Sequence, residues 1–175
     1  MQGAFRVQAG LASRFLTLCR IKLALAVFVI LVYFTATAHA QLTLRIGDPA
    51  PPVTPTDWLR NAPAGTDLNG KYLVLEFWAT WCAPCLRLVP HMNSLAQRFD
   101  RPELRFLNLT DEPPAVAGPV ADRAGFRSLV ATDIHGTTQI AFGDGSRGLS
   151  SLPFAVLIDR ENVVRWFGNP ERLTA

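Results

Sequence analysis

Two cysteines set the chemical question. Cys82 and Cys85 stand with two residues between them in Trp81-Cys82-Ala83-Pro84-Cys85, and the third cysteine, Cys19, lies far upstream. Three chemistries are open to such a pair. A zinc site needs four ligands, and one C-x-x-C supplies two. His91 and His135 could be recruited, but their spacing matches no zinc pattern. A purely structural disulfide is the second option, although a bridge closing so small a loop restrains the unfolded chain little. The third is a redox-active dithiol. A cysteine at a helix N-terminus sees unpaired backbone N–H groups and the positive end of the helix dipole. That lowers its pKa and makes it a thiolate near neutral pH. A second cysteine one turn on can then attack a mixed disulfide intramolecularly. Pro84 has no N–H to offer, which tunes how well the backbone solvates that thiolate.

The flanking segments suit this chemistry. Tyr72–Phe77 is a short apolar run, long enough for a buried strand. From Cys82 to Phe99, apolar residues recur at Leu86, Val89, Met92, Leu95, Ala96 and Phe99, the spacing of an amphipathic helix. Arg105–Leu109 reads as the next strand, residues 113–119 as a Pro-rich loop, Val120–Phe126 as a short helix and Leu129–Ala131 as a minor strand. Residues 41–70 read as an extended, turn-prone lead-in. Residues 133–150 are glycine-rich and predict a loop with at most one short element. Phe154–Ile158 and Val163–Phe167 flank Asp159-Arg160-Glu161-Asn162, a hairpin signal. Alternating strands and helices followed by a hairpin predict an α/β fold with a mixed central sheet.

Of the 175 residues, 49% are hydrophobic and 18% charged, which supports a core and excludes a disordered chain. The formal charge of +3 belongs to the N-terminus. Arg6, Arg14, Arg20 and Lys22 precede residue 41 and no acidic residue does; without them 13 basic residues face 14 acidic ones, a net of −1. A nucleic-acid partner is therefore not expected. Leu23–Ala38 is uncharged and apolar, and Ala38-His39-Ala40 places small residues where a signal peptidase reads. Residues 1–40 are expected to be a signal peptide or an N-terminal membrane anchor, and 41–175 the folded domain. The charge asymmetry is expected to send that domain across the membrane; in a bacterium that means the periplasm or the outer face of the membrane, where disulfides persist.

The run Leu75-Glu76-Phe77-Trp78-Ala79-Thr80-Trp81-Cys82-Ala83-Pro84-Cys85 resembles the active-site strand and turn of the thioredoxin superfamily. It is most similar to the TlpA-like branch, which includes ResA and the cytochrome c maturation reductases. Pro90 falls where that family's active-site helix carries a kinking proline. Gly47-Asp48-Pro49-Ala50-Pro51 and Leu68-Asn69-Gly70-Lys71 resemble the branch's lead-in. Leu152-Pro153 precedes the strand Phe154–Asp159 as the family's cis-proline does. Together these cover about residues 45–170.

The resemblance implies a thioredoxin fold and an extracytoplasmic thiol–disulfide oxidoreductase that reduces protein disulfides, with no cofactor and no metal. Cys82 would attack and Cys85 resolve. Pro153 would be cis, the alternative being a trans proline opening a strand, and Leu152 would pair with an incoming chain. Trp81 is expected to cover the disulfide and, with Ala83 and Pro84, to offer a docking surface. Glu76 is the odd residue in its strand. Alternation points it inward beneath the cysteines, where burial would raise its pKa, and it matches the acidic position of thioredoxin. It would then take the proton of Cys85; otherwise it is exposed or paired, for example with Lys71. Oxidised proteins, including apocytochrome c, are the expected substrates, and a membrane thiol donor the electron source. Two rivals stay open: an oxidase or isomerase, and a redox-sensitive binding or metallochaperone module. Nothing matches the proline- and threonine-led approach of a peroxiredoxin, and residue 79 is Ala. The sequence also stops about one turn after its last strand, where the family adds a full helix, so either it is a fragment or truncated product, or one face of the sheet is expected to be thinly covered.

Overall fold

The computed structural model describes residues 44–62, 68, 70–143 and 151–174; the expected export segment lies outside them, as do residues 144–150 of the glycine-rich loop. Six strands, β1 (Asp57–Arg60), β2 (Tyr72–Phe77), β3 (Leu104–Thr110), β4 (Leu129–Thr132), β5 (Phe154–Ile158) and β6 (Val164–Gly168), form one sheet in the order β1-β4-β3-β2-β5-β6. β2, β3 and β4 run parallel, and β1, β5 and β6 pair antiparallel to their neighbours. The sheet is mixed, as the segment pattern predicts. β2 is central, and every residue from Leu73 to Phe77 is buried, as a strand covered on both faces requires.

Among the described residues, three helices, α1 (Ala83–Arg98), α2 (Pro114–Ala124) and α3 (Thr137–Phe142), divide between the faces. Leu73, Leu75 and Phe77 of β2 join Leu107, Leu109, Val156 and Phe142 in one core layer. Phe142 stacks obliquely on Phe77, 5.7 Å between centroids. On the other face, Val74 and Phe106 meet Met92 and Leu95 of α1, and Trp78 shares a cluster with Cys85 and Val89 of α1 and with Ala117 and Ala121 of α2. Each fully buried leucine or phenylalanine contributes about 1.5–3 kcal/mol. Leu173, after the 3-10 turn Pro170–Arg172, packs on the Val74–Met92 layer.

Three local expectations need correction. α2 begins at Pro114, inside the expected loop 113–119, and ends before Phe126. Proline at a helix start lacks only an N–H that has no partner there anyway, and Gly125, at φ 74°, turns the chain out of the helix. β1 lies in the lead-in that reads as irregular; it becomes a strand by pairing with β4, Trp58 opposite Ala131. β4, expected to be minor, sits inside the sheet between β1 and β3. The β5–β6 turn lacks the usual Asp-Gly pair, but Asn162 takes φ 60° in its place, and Asp159 Oδ1 accepts the N–H groups of Glu161 and Val163 at 3.1 and 2.8 Å.

Candidate functional site

The strand β2 delivers the chain to the turn that carries the cysteines. Trp78 N–H still bonds to Leu109 O of β3 at 3.1 Å. The chain then turns, Cys82 N–H donating to Ala79 O at 3.0 Å, and α1 starts at Ala83. Cys82 is the N-cap. Its Sγ accepts the Cys85 N–H at 3.2 Å, and no acidic residue occupies the first turn to offset the helix dipole. Cys82 and Cys85 are joined by a disulfide, with Cα atoms 5.3 Å apart. Both are buried, in the cluster formed by Trp78, Ala79, Val89, Phe126 and Val130.

Glu76 lies on β2 in the inward position that alternation predicts. Its neighbours along the strand on that face are Val74, which packs under Met92, and Trp78, which packs with Cys85. It is 2% exposed, its Oε2 has no hydrogen-bond partner among the described residues, and burial pushes its carboxyl up to about 8. Lys71 does not pair with it; Lys71 Nζ donates to Pro102 O at 3.2 Å.

The peptide bond between Leu152 and Pro153 is cis. Phe154, which follows, is the register partner of Phe77, so this bend sits at the same sheet end as the cysteine turn. The Leu152 side chain packs on the cluster that holds both cysteines. Trp81 is 73% exposed. It gives most of its surface to solvent, and the cysteines are covered chiefly by the buried cluster on which they rest. Ala83 and Pro84 are exposed beside it. His91 is half-buried and its Nε2 meets Leu173 O at 3.0 Å, while Arg87, Arg98 and Arg101 are exposed.

Two residues escape the sequence reading. Glu112, just after β3, accepts the Thr80 N–H and the Thr80 hydroxyl through its two carboxylate oxygens, each at 2.6 Å. Its backbone carbonyl accepts the Thr132 hydroxyl. It ties the cysteine turn to β3 and β4. Asn108, buried on β3, is the register partner of Glu76. Neither carries a motif; only strand pairing brings them to the site.

A buried C-x-x-C at a helix N-terminus, with a protonatable carboxyl on the strand that leads into its turn, is equipped for dithiol–disulfide exchange. Comparisons with known proteins agree. The ResA thiol-disulfide oxidoreductase of Bacillus thuringiensis is 32% identical over 122 residues, which span 69% of this chain and 68% of that one. The ResA protein of Geobacillus thermodenitrificans is 29% identical over 126 residues, 71% and 70% of the two chains. A solved structure from Chlorobium tepidum, described as a thiol:disulfide interchange protein of the DsbE kind, aligns with a TM-score of 0.59 and 25% identity, over 72% of this chain and 86% of that one. The profile of the AhpC/TSA family matches residues 46–167, and the similar individual proteins are named for thiol–disulfide exchange. This chain therefore belongs to the AhpC/TSA family and, within it, is a ResA-like thiol–disulfide oxidoreductase of the thioredoxin superfamily.

Proposed function

We propose that the protein is an extracytoplasmic reductase of protein disulfides. One observation carries the assignment of roles: Cys82 caps α1 with the Cys85 N–H directed at its sulfur, so a thiolate at Cys82 is stabilised by the helix start. In the reduced protein the Cys82 thiolate attacks a substrate disulfide and displaces one substrate thiolate. Cys82 is then joined to the substrate. Cys85 loses its proton to the ionised form of Glu76 and attacks Cys82 Sγ, which re-forms the Cys82–Cys85 disulfide and releases the second substrate sulfur as a thiolate. Burial raises the Glu76 carboxyl to about 8, so once ionised it takes up a proton far more readily than an ordinary carboxylate.

Docking is assigned to Trp81, Ala83 and Pro84 on the cysteine side and to the Leu152–Pro153 bend on the other, with Leu152 offering its backbone to the incoming chain. The reducing direction rests on the resemblance to ResA and the cytochrome c maturation reductases. Apocytochrome c cysteines are then a fitting substrate, and a membrane thiol donor restores the dithiol. Residues 1–40 would export the domain or tether it to the outer face of the inner membrane.

The test is the reduction potential of residues 41–175, equilibrated against glutathione and dithiothreitol with Trp fluorescence as the readout. A value near about −250 mV or lower fits a dedicated reductase; one near about −120 mV makes it an oxidase.

A further inference from the structure

We infer that Asn108 is a positioning residue for the proton of Glu76: its side-chain carbonyl, Oδ1, accepts the O–H of the neutral carboxyl on the neighbouring strand. The inference rests on Glu76 being the group that exchanges a proton with Cys85, and adds the partner that keeps that proton in place.

The geometry begins with register. Glu76 of β2 and Asn108 of β3 are paired in parallel strands, about 4.8 Å apart. Val74 and Phe106, two residues back on each strand, share one cluster under α1, so Glu76 and Asn108 face the same side. Both are buried, 2% and 1% exposed.

The Asn108 amide has a determined orientation. Its Nδ2 donates to Leu129 O at 3.0 Å and to Ser128 Oγ at 2.5 Å, both at the start of β4. A backbone carbonyl can only accept, so the group facing it must be the NH2. β3 lies between β4 and β2. With nitrogen turned to β4, the planar amide turns Oδ1 away from β4, to the β2 side.

Two buried oxygens on these paired residues have no partner among the described residues: Asn108 Oδ1 and Glu76 Oε2. A carboxylate only accepts, and so does an amide oxygen. The two cannot pair unless one proton lies between them. A neutral carboxyl supplies it and satisfies both atoms at once. Each would otherwise bear the cost of a buried polar atom without a bond. Ionised Glu76 would meet a lone pair instead, unless the amide turned over and gave up Leu129 O.

Other titratable groups do not compete for this role. α1 brings Cys82 and Cys85 to this face, tied in their disulfide. Arg87, Arg98, Asp122 and Arg123 of α1 and α2 are exposed, and His91 turns to Leu173 O. Burial raises the Glu76 carboxyl, which favours its neutral form.

The test uses the intact, oxidised protein, in which the cysteines do not titrate. The Asn108 Cγ and Glu76 Cδ carbon resonances are followed by NMR from pH 5 to 10. Both are expected to move with one shared midpoint, and the Asn108 movement to vanish in Glu76→Gln. An Asn108 resonance that stays still while Glu76 titrates overturns the inference. As a second readout, the neutral-carboxyl infrared band, identified by its loss in Glu76→Gln, should shift to higher frequency in Asn108→Leu as its hydrogen bond disappears; an unmoved band also overturns it. The catalytic reading is checked separately. If Glu76→Gln resolves mixed disulfides as fast as the wild type at every pH, the proton-acceptor role fails, while co-titration of Asn108 still stands or falls by itself.

Discussion

Glu112 holds Thr80 by two bonds, one to its N–H and one to its hydroxyl, each at 2.6 Å. Thr80 precedes Cys82 by two residues, so a carboxylate at the end of β3 sets the path by which the chain leaves β2 and enters α1. Glu112→Ala leaves the Thr80 amide and hydroxyl without their acceptor. The expected cost is about 1–3 kcal/mol, with faster amide exchange at Thr80. Chemical denaturation and hydrogen exchange measure both; exchange at Thr80 unchanged from the wild type would remove this role.

The division of labour between the cysteines predicts opposite behaviour of two variants. Cys85→Ser retains the attacking sulfur and should accumulate a covalent complex with substrate, visible as a mass increase under non-reducing conditions. Cys82→Ser should form none. Both should lose turnover by about a thousandfold or more, because the two sulfurs act as a unit. Trapping at Cys85 in place of Cys82 would reverse the assignment.

Burial of Glu76 has a consequence for stability. Its carboxyl titrates at about 8 in the folded protein, against 4.5 for the ordinary group. Between those values the folded state retains a proton that the unfolded state has released. Stability therefore falls as pH rises from about 4.5 to about 8, by about 1.4 kcal/mol per pH unit from this group at most, and levels off above. Glu76→Gln should flatten the slope in this window and gain on the wild type as pH rises. Denaturant midpoints at pH 5, 6, 7 and 8 give the answer; parallel curves for the two proteins would contradict it.

The two tryptophans beside the site should separate cleanly. Trp81 is 73% exposed and Trp78 is 1% exposed. Trp78 packs on Phe126, 5.0 Å between ring centroids. Trp81→Ala should alter stability by no more than about 0.5 kcal/mol while weakening kcat/KM for a protein disulfide more than for a small disulfide. Trp78→Ala should cost about 3–5 kcal/mol. Equal losses against both substrates in Trp81→Ala would show that its indole does not serve docking.

Local chemistry carried most of the reading. The apolar run 72–77, the three-and-four spacing of Leu86, Val89, Met92 and Leu95, and the cysteine spacing all express themselves over a few residues, so β2, α1 and the disulfide were legible before any fold was known. The inward direction of Glu76 followed from the period of a strand in the same way. Segments whose state depends on distant partners were not legible. β1 is a strand only because β4 lies beside it, and α2 begins at a proline that reads as loop until the helix after it is seen. Glu112 and Asn108 belong to the site because β3 pairs with β2, a relationship set by which strands become neighbours. A motif can specify a reactive turn; the groups that hold its backbone and its proton are chosen by sheet order, and sheet order is a property of the whole folded chain.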